Sequence, residues 1–149
     1  MINRDRVLKL LGDFKEWESD FKECTDSLEK CNDNIKKFLY HSVRAYFLDF
    51  HILCEDYVSI SLKFLNKFKV DISAIQGMEI IKDSNKISDE FFEFYSTSRR
   101  LRNRLAHRYK MPKDEDLLLN LKNNLEYIGE LEQSIKELIV WSEYSSRDE

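Results

Sequence analysis

One proline and three glycines in 149 residues are too few turn-formers for a sheet protein of this size, which reverses its chain every few residues. Long helices joined by short connections are expected instead. No stretch approaches the roughly 18 uninterrupted apolar residues that cross a bilayer. The opening Met1-Ile2-Asn3-Arg4-Asp5-Arg6 has no apolar signal core, so the expectation is a cytoplasmic protein without a membrane partner. Cysteine is scarce and odd in number: Cys24, Cys31 and Cys54. The first two lie two turns apart on an expected helix, too far to bridge, and reduced packing residues suit a cytosolic chain. No C-x2-C pair accompanies His41, His51 and Cys54, so these do not make a tetrahedral metal set. No glycine-rich phosphate loop or nucleophile elbow occurs. Neither a metal nor another cofactor is expected.

What remains is 42% hydrophobic and 35% charged, the balance of a globular chain rather than a disordered polyelectrolyte. Its length suits a single domain spanning 1–149. Val7, Leu11, Phe14, Phe21, Cys24, Leu28 and Cys31 recur at helical steps and predict a first helix over 4–31. Asp33 or Asn34 is placed to cap a second helix over 35–68, whose apolar positions cover more than one face and mark it as central. The connector 69–88 holds Gly77 and a short helical pattern at 78–81. Ser88-Asp89-Glu90 reads as a helix start, a hydroxyl cap followed by acids at the positive helix end. Phe91, Phe94, Leu101 and Leu105 mark that helix's buried side. It should end at 107–110, because Met111 precedes Pro112. One last helix is expected from Asp114, fraying after Trp141. The fold class is therefore all-α, an antiparallel bundle of four long helices with a short extra helix in the connector.

Charge is unevenly placed. Between Glu93 and Asp114 no acid occurs, while Arg99, Arg100, Arg102, Arg104, Arg108, Lys110 and Lys113 do, on a chain whose net charge is −4. Cations at a helix C-terminus complement the helix dipole, so part of this patch is explained without a ligand. A concentrated basic patch on an acidic protein nevertheless points to a local anionic partner, with Arg99, Arg104 and Arg108 as phosphate contacts. Cleaving RNA without a metal requires a base, an acid and a cation for the developing charge. Histidine exchanges protons near neutral pH, and arginine grips phosphate through two parallel hydrogen bonds. Arg102 and His107, five residues apart, would lie about 140° apart on one helix. They are not a same-face pair, but a twofold dimer would bring two of each to one shared groove.

The string Arg102-Asn103-x-x-x-His107-x-Tyr109 resembles the Arg-x4-His-x-Tyr signature of HepT toxins, in the HEPN superfamily. The resemblance implies a homodimer cutting RNA at its interface without a metal, with Arg102 and His107 catalytic and Asn103 a polar helper. It implies a type VII-like toxin–antitoxin pairing with a nucleotidyltransferase antitoxin (MntA). That partner would silence the toxin by attaching AMP to Tyr109, adding negative phosphate and bulk beside the catalytic pair. Arg108 departs from the acid often found at its position, making the local field more positive. Helical relatives with a similar string serve as non-catalytic substrate-binding subunits of nucleotidyltransferases, which is the alternative reading. Glu55 and Asp56, midway along the second helix, are candidates to orient His107 or an arginine, set against the plainer reading of solvent-facing charges. The aromatics Phe91, Phe92, Phe94 and Tyr95 are expected to pack in the core or a dimer interface.

Overall fold

The computed structural model describes residues 3–147, with side chains through Tyr144; the Met1-Ile2 part of the chain start lies outside them. Six helices and a 3₁₀ turn follow in order: α1 (Arg4–Lys30), α2 (Asp33–Phe64), α3 (Ala74–Asp83), α4 (Asp89–Arg104), the turn Arg108–Lys110, α5 (Asp114–Lys122) and α6 (Leu125–Arg147). Among the described residues no strand occurs and no helix is long and apolar enough to cross a membrane. The architecture is the expected all-helical bundle.

The helices begin where side chains can satisfy free backbone amides. Asn3 accepts from the Asp5 and Arg6 amides at the start of α1, and Ser73 with Gln76 forms a reciprocal capping box on α3. Ser88 accepts from the Phe91 amide (3.0 Å) while its hydroxyl donates to Glu130 of α6 (2.7 Å). That cap therefore also docks α4 on α6. At α2 the cap position falls to Asn32, which makes no side-chain hydrogen bond, rather than to Asp33 or Asn34.

Several boundaries differ from the sequence expectation. Helix α2 stops at Phe64, because Asn66 turns into the left-handed region (φ 57°) and the Lys67 amide closes back on the Leu62 carbonyl. The expected last helix is two. Asn124 donates its side-chain amide to the Asn120 carbonyl, ending α5, while its own carbonyl accepts from Tyr127 and Ile128, opening α6. Helix α6 then runs past Trp141 to Arg147, so the expected fraying there does not occur.

One core joins the elements. Helix α2 packs on α1, α3, α4 and α5, α1 also on α6, and α4 on α3 and α6. Phe14, Phe47, Phe50, Tyr57, Phe91, Tyr95, Met78 and Ile81 are essentially removed from solvent. Burying such side chains contributes about 1.5–3 kcal/mol each before entropic costs. Trp17 stacks on Phe21 (centroids 5.2 Å apart) and donates its indole N–H to the Tyr46 carbonyl at 2.8 Å, so α1 is held to α2 by packing together with a part-buried hydrogen bond. Gly77 lets α3 approach α2: a Cβ there would stand 2.6 Å from Val58 Cγ1. Cys24 and Cys54 are buried and Cys31 half-buried, all as free thiols.

Candidate functional site

The basic segment straddles the end of α4. Arg99, Arg100 and Arg102 lie on the helix, but it ends at Arg104, sooner than expected. Leu105 and Ala106 make a turn, His107 is extended (φ −120°, ψ 107°), and Arg108–Lys110 form the 3₁₀ turn. His107 thus stands beyond the helix, and the roughly 140° separation for a continuous helix does not describe the pair. Nothing in Ala106-His107-Arg108 breaks a helix by composition. The turn forms because the last carbonyls are taken locally, Leu105 N–H donating to Arg102 O and His107 N–H to Arg104 O at 3.0 Å.

Both ends of this loop are anchored. Arg104 Nε donates to the Lys110 carbonyl (3.0 Å), and the Lys110 amide donates to the His107 carbonyl (2.9 Å). Farther on, Pro112 is buried, and Arg44 of α2 donates from Nε and Nη2 to Asp114 Oδ1 at 3.0 and 2.8 Å. Between these anchors His107, Arg108 and Tyr109 are exposed, Tyr109 at 81%. The His107 and Tyr109 rings are 6.0 Å apart, centre to centre. Arg102, half-buried, and exposed Asn103 complete the motif on the last turn of α4. The segment therefore presents one imidazole, one phenol and several guanidinium groups to solvent from a pinned loop, a suitable surface for phosphate.

The other candidates separate. Arg99 is not a free phosphate ligand: its Nη1 meets Glu55 Oε1 at 2.6 Å, with only 14% of the side chain exposed. Glu55 is thus the carboxylate that orients an arginine. Asp56 faces elsewhere, lining a shallow acidic groove with Asp13, Glu16 and Asp49, and does not join the motif. Arg104 spends its Nε on the loop carbonyl, while Arg108 stays on the exposed turn. Phe91, Phe94 and Tyr95 are core residues, and Phe92 is half-buried under the Lys82 ammonium. Among the described residues no cluster of three or more His, Cys, Asp or Glu could hold a metal.

His51 has the least expected role. It is buried among Phe47, Phe50 and Tyr95, with Nε2 2.7 Å from Ser98 Oγ one turn before Arg102. Burial, reinforced by the Arg99 and Arg102 charges, pushes its pKa down to about 3, so it is neutral at physiological pH. Among the described residues its Nδ1 and the Tyr95 hydroxyl have no hydrogen-bond partner. This neutral imidazole bonds α2 to the motif helix. His41 is exposed.

A family model described as Ribonuclease HepT-like matches residues 21–138. The chain belongs to the HepT-like ribonuclease family. The matched region of this HepT-like chain runs from α1 to α6 and includes the whole of α4 and the anchored loop. No curated protein and no solved structure matches the chain. Sequence reasoning missed the anchors Arg44, Asp114 and Ser98, whose spacing from the motif carries no local signal.

Proposed function

We propose that this chain, as one HEPN domain over 1–149, is a metal-independent endoribonuclease toxin acting as a cytoplasmic homodimer. Arg102 and His107 are its catalytic residues, Asn103 a helper in the cleft, and Arg104 and Arg108 phosphate contacts. Arg99 contributes field rather than direct grip because Glu55 holds it. The observation that carries the reading is the exposure of His107 and Tyr109 on a pinned loop directly after Arg102, within the acid-free basic segment of a HepT-like chain.

In this reading one His107 takes the proton from the ribose 2′-hydroxyl as its oxygen attacks phosphorus. The P–O5′ bond breaks, the partner's His107 gives a proton to the departing 5′-oxygen, and Arg102 stabilises the charge gathered on the phosphoryl oxygens. The products are a 2′,3′-cyclic phosphate and a 5′-hydroxyl. Two protomers are needed because each supplies one histidine to the motif. Regulation follows from the same exposure. Tyr109 is open to a nucleotidyltransferase antitoxin, and AMP there would place a phosphodiester charge close to His107, opposing RNA.

Expression of the wild type should arrest growth, and co-expression with a cognate nucleotidyltransferase should relieve the arrest while adding AMP to Tyr109. Wild-type expression that leaves growth unaffected, with His107→Ala behaving identically, would favour the alternative, a non-catalytic subunit that presents substrate to the nucleotidyltransferase.

A further inference from the structure

A groove of about 480 Å³ opens beside the motif, between the second half of α2, the end of α4 and the connector that follows α2. Val58, Leu62 and Ile75 form an apolar floor. Arg99 and Asn103 stand on the α4 wall, and Lys69 on the connector wall. From Tyr57 to Val70 the chain has no acid and three lysines, Lys63, Lys67 and Lys69. The groove is therefore a largely apolar trough with Arg99 on one wall and Lys69 on the other, and its α4 wall reaches the motif at Asn103.

An unpaired nucleotide is the ligand whose chemistry repeats this arrangement: an apolar base face, a polar base edge and an anionic backbone. The volume lies in the range of pockets that enclose a small molecule. The polar edge has a counterpart as well. Glu55 gives one oxygen to Arg99, yet its side chain is 42% exposed at the groove, and a carboxylate has acceptor capacity beyond one bond. Asn103 adds an amide.

We propose that this groove is a nucleobase subsite of the ribonuclease, resting on the reading above: it holds an unpaired base next to the scissile linkage. Glu55 accepts from an amino group on the base edge, Asn103 completes the edge, and Lys69 takes the neighbouring phosphate. The subsite explains how a small motif loop would choose among single-stranded sites, and why Arg99 is committed to Glu55. The pair fixes the reading carboxylate rather than gripping phosphate.

The test uses the full-length protein and two probes: single-stranded oligoribonucleotides with every base beside the cut, and a non-cleavable 2′-O-methyl strand carrying a photoreactive uridine. Ser59→Trp, which fills the groove from α2, should raise KM about tenfold, equivalent to about 1.4 kcal/mol of lost apolar contact with the base, with kcat changing far less. Glu55→Gln should change the preferred base at one position, and exposed Lys69→Glu should weaken binding several-fold without unfolding. The strand should crosslink within residues 59–75. Wild-type cleavage with unaltered preference and KM in all three variants, and crosslinks elsewhere, would overturn the subsite and leave the nuclease reading standing. Crosslinks at 59–75 that Ser59→Trp abolishes, with no cleavage by the wild type, would keep the RNA site and remove the nuclease. A groove covered by the second copy, so that Ser59→Trp dissociates the dimer in sedimentation, would overturn the subsite.

Discussion

Acid should weaken this protein through His51 in a way that one substitution can isolate. In the unfolded chain the imidazole titrates at its ordinary 6.5, whereas burial first, then the Arg99 and Arg102 charges, holds it to about 3 in the fold. A depressed folded value means that the native state is fully favoured above the unfolded pKa and loses ground as pH falls below it, because only the unfolded chain gains a proton. One pKa unit corresponds to about 1.36 kcal/mol, so moving from pH 7.5 to pH 5 costs about 2 kcal/mol through this group alone. In His51→Gln that contribution vanishes. Gln can still reach Ser98, and the variant should be less stable at pH 7.5 by roughly 1–2 kcal/mol for imperfect filling of the aromatic pocket. Urea titrations of both proteins from pH 7.5 to 5 report the difference in slope, other titrating groups being common to both. The reasoning fails if the two stability curves run parallel, since His51 would then be protonated alike in folded and unfolded states.

Three further outcomes follow from the packing. Glu18 of α1 is raised to about 7 by burial, then by its hydrogen bond to Glu132 and that residue's charge. Here the fold holds a proton that the unfolded chain releases, so the penalty is absent near pH 4.5 and develops as pH rises to about 7. Glu18→Gln should therefore raise the unfolding free energy from urea titration at pH 8, by about 1 kcal/mol after allowance for solvent screening, and not at pH 4.5. Gly77→Ala should destabilise by about 1–3 kcal/mol, because the new methyl meets Val58 Cγ1 at 2.6 Å; thermal melting checks it. Asp114→Asn removes the charge that receives both Arg44 donors. It should cost about 1 kcal/mol and quicken hydrogen exchange of the Lys110 amide.

How far the sequence could be read depends on whether a feature is local. Helix α1 and the Ser88 start of α4 were legible because their signals, apolar spacing and a hydroxyl cap before two acids, lie within a turn or two of the residues they govern. The break at Asn123-Asn124 was hidden, since Leu118, Leu121, Leu125 and Ile128 keep helical spacing across it. The early end of α4 was hidden too: Pro112 marks where a helix cannot continue, not where it stops. The motif residues were named from their string alone. Their supports were not, because His51–Ser98 and Glu55–Arg99 join positions 47 and 44 residues apart, and only packing brings them together. The groove was not legible, because its walls come from α2, the connector and α4, which only the fold brings together.

Whether Arg102 and His107 cut RNA is decided by incubating total cellular RNA with purified, unmodified wild-type protein in EDTA, beside Arg102→Ala and His107→Ala of matched fold and oligomeric state. Discrete cleavage leaving 2′,3′-cyclic phosphate ends is expected, lost by at least a hundredfold in either variant, the scale of general acid–base catalysis. Intact RNA with the wild type, or equal cutting by all three proteins, would contradict it.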